Sequence, residues 1–194
     1  MVEDAATFAG NATKKAVELA TWLSRRIESA ERPGLRRWPF LVLADDSGLE
    51  VDAIGGAPGV HSARFAADVV GGAKNTPDEA NNAKLLRLLK DVPPERRTAR
   101  FRCVLALTPV SKVEAEPASP VCSADPLEFE TRTFEGACEG HIGFAPRGNN
   151  GFGYDPLFIP VGHDQTFAEL GDAIKNSMSH RGKALALLKA SLVA

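Results

Sequence analysis

The sequence predicts an α/β fold with a partly antiparallel sheet. Three observations carry the prediction. An 18-residue stretch near the amino end repeats its apolar residues at helical spacing. Several shorter stretches are either continuously apolar or strictly alternating, as strands are. Helical and strand-like segments follow one another without a regular βαβ repeat, which argues against a wholly parallel sheet.

Taken in order, residues 11–28, "NATKKAVELATWLSRRIE", read as an amphipathic helix with Ala12, Ala16, Ala20, Leu23 and Ile27 at three- and four-residue steps. "SAERPGLRRWP" follows as a polar loop. "FLVLA" is a continuous apolar run of buried-strand length that delivers the chain to Asp45 and Asp46. "TPDE", residues 76–79, is a helix start: Thr76 caps, Pro77 fits the first turn and Glu79 completes a capping box. The leucine-rich "ANNAKLLRLLK" continues that helix. "ARFRCVLAL" sets Phe101, Cys103, Leu105 and Leu107 on one face of a strand. "SKVEAEPASPVCSADP" reads as an excursion at a hairpin end, and "LEFETRTFEGACEGHIG" as a further strand pair. The tail "SHRGKALALLKASLV" is a last helix capped by Ser179.

Composition narrows the function classes. At 44% apolar residues the chain can bury a core. Lys and Arg number 23 against 25 Asp and Glu, a net charge of -2, so no broad positive field draws it to nucleic acid or membrane. A free nucleotide would be held by a few local cations. No apolar run is long enough to span a bilayer, and "MVEDAATFAG" lacks the basic and apolar regions of a secretory signal. Cys103, Cys122 and Cys138 form neither a disulfide framework nor a zinc spacing, which points to a reducing cytoplasm.

Three stretches carry candidate chemistry, each open to two readings. In "ADDSGLEVDAIGGAPGVHSAR", Asp, Ser and Gly are turn formers, but carboxylates past the end of an apolar strand also suit a ligand or metal site. Adjacent strand residues point to opposite faces, so only one of Asp45 and Asp46 can face a given site. In "PRGNNGFGYDPLF", Phe152 and Tyr154 could stack on a planar base and Asp155 accept hydrogen bonds. The other reading is a tight connection with both aromatics in the core. "KNSMSHRG" groups Lys175, His180 and Arg181 about a helix start, where anions are favoured, or else forms a solvated cationic corner.

Together, in this order and spacing, "ADDSGLEVDAIGGAPGVHSAR", "GFGYDPLF" and "SHRGKAL" resemble the inosine triphosphate pyrophosphatase family, the hydrolases that remove deaminated purine nucleoside triphosphates. The resemblance runs from about Val2 to the carboxyl end. It implies a long curved mixed sheet with flanking helices, and two lobes about a central cleft. It also implies a homodimer, and Mg²⁺-dependent cleavage between the α and β phosphates to a nucleoside monophosphate and pyrophosphate.

Residue by residue, the resemblance implies that Asp46 is the catalytic acidic residue, binding Mg²⁺ or orienting water, with Glu3 as a second metal ligand. It assigns substrate contact to Ser47, the base and sugar to Phe152, Gly153, Tyr154 and Asp155, and further nucleotide contacts to Lys175, His180 and Arg181. The chemistry agrees. Mg²⁺ prefers carboxylate, water and phosphate oxygens, and phosphoryl chemistry needs charge neutralisation and positioning more than covalent catalysis. Donors such as His180 and Arg181 suit a purine with a 6-keto oxygen, where adenine presents an amino group.

The chain also departs from the family's pattern. Relatives begin with a strand and a Thr-Gly-Asn-x-x-Lys loop that grips the triphosphate. This sequence starts beyond that unit, so the expectation is a single domain over residues 1–194 that is amino-terminally incomplete. Lys175 and Arg64 are then the cations left for phosphate. Gly10 stands where many relatives carry Glu, and the stretches "SRRIESAERPGLRRWP" and Ala115 to Asp125 are longer than usual. Two alternatives accompany the pyrophosphohydrolase reading. One is a catalytically impaired nucleotide-binding or dimer-forming remnant. The other is a Maf-like relative, which the "SHRG" ending disfavours.

Overall fold

The computed structural model describes residues 3–29, 40–71, 75–110 and 130–193. The loop expected at 30–39 and the excursion at 111–126 lie outside these residues, as do most of the longer stretches. Among the described residues, helices α1 (Phe8–Ser29), α2 (Ala67–Val70), α3 (Asp78–Leu88), α4 (Asp172–Met178) and α5 (His180–Val193) accompany strands β1 (Leu41–Val51), β2 (Thr98–Pro109), β3 (Arg132–Ile142) and β4 (Phe158–Pro160). The sheet order is β1-β2-β3-β4, and β3 pairs antiparallel with β4, Gly140 opposite Pro160 and Ile142 opposite Phe158. The α/β class with an antiparallel component is the one the patterning predicts. No helix among the described residues is long and apolar enough to cross a membrane.

The chain divides into two compact units. One comprises residues 1–46 and 104–134, the other 47–103 and 135–194. In the first, α1 buries the alanine face that its periodicity announces: Ala12, Ala16 and Ala20 are fully inaccessible. The Thr7 hydroxyl accepts the Gly10 N–H, satisfying a first-turn donor. Among β2's residues in this unit, Val104, Leu105, Ala106 and Leu107 are all buried, so this end of the strand is covered on both faces.

In the second unit Leu49, Leu85, Phe101, Tyr154, Leu157, Phe158 and Phe167 belong to one apolar cluster. Phe101 and Phe158 approach to 4.7 Å between ring centroids and tilt by 58°. Burial of such side chains, roughly 25 cal/mol per Å² of apolar area, is the main stabilising term here. Arg97 is buried in this unit and satisfied by carbonyls, donating to Leu89, Val92 and Gly143. Two glycines permit close packing. A Cβ on Gly136 of β3 would collide with the α5 backbone at His180 and Ala184, and one on Gly140 with Ile159 and the Phe158 ring.

Four local expectations are corrected. β1 does not end at the paired aspartates but runs through them to Val51. Nor is its first half a continuous buried run: Leu41 and Leu43 are exposed while Val42 is buried, because alternate strand residues point to opposite faces and only Val42's face is covered among the described residues. The capping box at 76–79 does not form. Pro77 takes the cap position without a side-chain bond, and the Thr76 hydroxyl donates instead to the Asn81 side chain at 2.6 Å. The segment expected to hold a strand pair gives the single strand β3, since Gly136 and Gly140 serve close packing rather than a turn. Ser179 caps as predicted, its Oγ accepting the Gly182 N–H at 3.0 Å.

Candidate active site

Strand alternation gives the two aspartates different surroundings. Asp46 is buried, 8% exposed, and its carboxylate is met by two side chains of α1. Asn11 Nδ2 donates to Oδ2 at 3.2 Å and Lys15 Nζ to Oδ1 at 2.9 Å. Asn11 and Lys15 are four residues apart and therefore neighbours on one helix face. Asp45 is half-buried, and its main-chain carbonyl also accepts from Lys15 Nζ, at 2.9 Å. Glu3 completes the cluster through Oε1, 2.7 Å from the same ammonium.

Lys15 thus stands between two carboxylates. Burial pushes the Asp46 carboxyl above its ordinary value, and the bonds from Lys15 and Asn11 offset this only in part. Burial also opposes charge on Lys15, but the bonds to Glu3 and Asp46 outweigh it and hold the ammonium protonated to higher pH than usual. Among the described residues no group of three or more His, Cys, Asp and Glu could hold a metal ion. Glu3 and Asp46 converging on one cation still fit Mg²⁺, which takes one or two carboxylates and leaves its other positions to water and phosphate oxygens.

The remaining predicted residues gather elsewhere. Ser47, Phe152, Gly153, Tyr154, Asp155, Lys175, His180 and Arg181 all line one cavity of about 580 Å³, within the second unit. That volume lies in the range of small-molecule sites. Arg64, half-buried at the end of the 3₁₀ turn Gly59–Arg64, is not among the cavity's lining residues.

The two aromatics of "GFGYDPLF" part company. Tyr154 is buried in the apolar cluster and its hydroxyl donates to the Ser62 carbonyl at 2.9 Å, with burial pushing its ionisation well above the ordinary tyrosine range. Phe152 is 67% exposed. Asp155, buried, accepts from the Phe152 N–H at 2.9 Å and from Lys175 Nζ at 2.5 Å through the same oxygen. Gly151 has φ +79°, and a Cβ there would strike that carboxylate. Lys175 Nζ also lies 5.3 Å from the Phe152 ring centroid, within cation–π range. The His180 imidazole stacks on Phe101, 5.0 Å between centroids with 16° between planes.

Two side chains of the Asp46 cluster escape sequence reading. Asn11 and Lys15 stand at helical spacing beside Ala12 and Ala16, so they read as polar residues bordering an apolar stripe. The available signal is that border itself: an i, i+4 polar pair flush with a buried face, where Asn11 proves 1% exposed.

The chain and its fold have known counterparts. The model of the Ham1 family matches residues 1–191. A dITP/XTP pyrophosphatase from Shouchella clausii is 46% identical over 192 residues, covering 99% of this chain and 78% of the relative. One of the same name from Desulforamulus reducens is 50% identical over 183 residues, 94% of this chain and 72% of the relative. Among solved structures, the Staphylococcus aureus Ham1 protein superposes with a TM-score of 0.72 at 36% identity, over 98% of this chain and 79% of that one. A HAM1 protein from Coxiella burnetii gives 0.71 at 35%, over 100% and 80%. The chain belongs to the Ham1 family.

Proposed function

We propose that this protein hydrolyses deaminated purine nucleoside triphosphates, ITP, dITP and XTP among them, to the monophosphate and pyrophosphate. The observation that carries the reading is the convergence of eight residues, chosen from sequence motifs, on one nucleotide-sized cavity. The relatives' shared name, dITP/XTP pyrophosphatase, supports catalysis over a non-catalytic remnant.

In this reading the base lies against the exposed Phe152 ring, and the donors of His180 and Arg181 address its 6-keto oxygen. Asp155 and Lys175 hold the loop that carries Phe152, and Ser47 contacts the substrate. Asp46 takes a proton from, or orients, the water that attacks between the α and β phosphates. Lys15 keeps its carboxylate in place beside Glu3. Asp46 and Glu3 would hold Mg²⁺, which when bound would supply charge neutralisation on the phosphates. A homodimer in the cytoplasm completes the proposal; Cys103 and Cys138, both buried, suit a reducing compartment.

Pyrophosphate release from ITP, XTP, GTP and ATP with Mg²⁺ tests the activity. ITP and XTP should be cleaved well ahead of ATP, and equal rates on all four would overturn the base assignment. Arg181→Ala should narrow the preference for ITP over ATP as well as lower the rate. An equal loss on both substrates would assign Arg181 to a shared part, phosphate or sugar.

A further inference from the structure

Phe152 lines the cavity yet is 67% exposed. An exposed aromatic side chain takes its position from its backbone, and here that backbone is tied on both sides. The Phe152 N–H donates to Asp155 Oδ2 at 2.9 Å. The next N–H, of Gly153, donates to Asp78 Oδ2 at 2.6 Å, a short bond to a carboxylate and so stronger than a neutral one. The Gly153 carbonyl accepts from Asn82 Nδ2 at 3.0 Å. Gly153 itself sits at φ +62°, a conformation that needs such support.

Asp78 and Asn82 both belong to α3, 71 or more residues away in sequence from the loop they grip. Four residues apart, they project from one face of the helix. Asp78 lies in the first turn, where the helix favours a negative charge. Asn82 is 7% exposed, and its Oδ1 has no hydrogen-bond partner among the described residues. Burying half an amide unsatisfied is unfavourable. The bond donated to Gly153 gives that amide a purpose that packing alone does not.

We infer that Asp78 and Asn82 are positioning residues that aim the Phe152 ring at the base by clamping the main chain on both sides of Gly153. The inference rests on the reading above, in which Phe152 stacks on the purine.

The test measures kcat and KM for ITP with Mg²⁺ in five variants: Asp78→Ala, Asp78→Asn, Asn82→Leu, Phe152→Ala and the double variant Asp78→Ala with Phe152→Ala. Asp78→Ala should raise KM about tenfold with kcat within about twofold, the scale of one bond to a charged group. Asp78→Asn, which keeps an acceptor, should restore most of the affinity. Asn82→Leu should raise KM in the same direction. Phe152→Ala should raise KM, and adding Asp78→Ala to it should raise KM no further. Because Asp78 is exposed, its variants should fold as the parent does, which a thermal melt checks.

A KM unchanged by Asp78→Ala, while Phe152→Ala raises it, overturns the clamp and leaves the base-stacking reading standing. So does a full tenfold rise from Asp78→Ala in the Phe152→Ala background. If Phe152→Ala itself leaves KM unchanged, the base-stacking reading falls and takes the clamp with it.

Discussion

Among the described residues two aspartates are buried, each paired with a lysine, and their surroundings differ. Asp155 is 4% exposed and 2.5 Å from Lys175; Asp46 is 8% exposed and 2.9 Å from Lys15. The oxygen of Asp155 that meets Lys175 also accepts a main-chain N–H three residues earlier, so the pair shapes its own loop. Among the described residues the Asp46 carboxylate accepts only from the side chains of Asn11 and Lys15, both more than 30 residues away in sequence. Its lysine is shared with Glu3, which concentrates two carboxylates on one cation. The Asp155 carboxylate closes its own loop, whereas the Asp46 carboxylate is held by side chains remote in sequence.

The largest expected effect follows from that contrast. Asp46→Asn should lower turnover on ITP by about 10²–10³, the scale for one preorganised electrostatic group, while leaving the fold intact by circular dichroism. Turnover equal to the parent's would place the reacting carboxylate elsewhere. Next, Lys175→Met should destabilise the protein by about 3 kcal/mol in chemical denaturation, since it leaves the buried Asp155 carboxylate without its cation. A change below 1 kcal/mol would mean that the Phe152 N–H alone satisfies Asp155.

A subtler effect concerns pH. In the proposed function Asp46 serves as base or metal ligand only when ionised, and burial raises its pKa. Activity should therefore fall on the acid side at a higher pH than an ordinary aspartate would dictate. Lys15 opposes that rise, so Lys15→Met should move the acid limb of kcat/KM further up the pH scale. A limb that stays put, or moves down, breaks the assignment of that limb to Asp46. The smallest effect is Asp45→Asn, which should stay within about twofold of parent turnover, because Asp45 points to the strand face opposite Asp46 and is only half-buried. A dead Asp45→Asn beside an active Asp46→Asn would reverse the two roles.

Much of this was legible in the amino-acid order because it is local. Helical spacing of alanines marks α1, the Ser179 hydroxyl marks the start of α5, and three ordered motifs mark the family and eight lining residues of one cavity. These signals reside in neighbouring residues, where period, capping and turn chemistry operate. Tertiary structure alone decided the rest. That β1 continues through Asp45 and Asp46 depends on sheet pairing, which overrides the turn preference of Asp, Ser and Gly. That Thr76 bonds Asn81 rather than capping α3 depends on a buried amide competing for its hydroxyl. The sorting of Phe152 to the surface and Tyr154 to the core depends on Ser62, whose carbonyl gives the buried hydroxyl a partner. Asn11, Lys15, Asp78 and Asn82 gain their significance from groups distant in sequence. A helix's sequence states which face is polar; only the packed chain determines what that face touches.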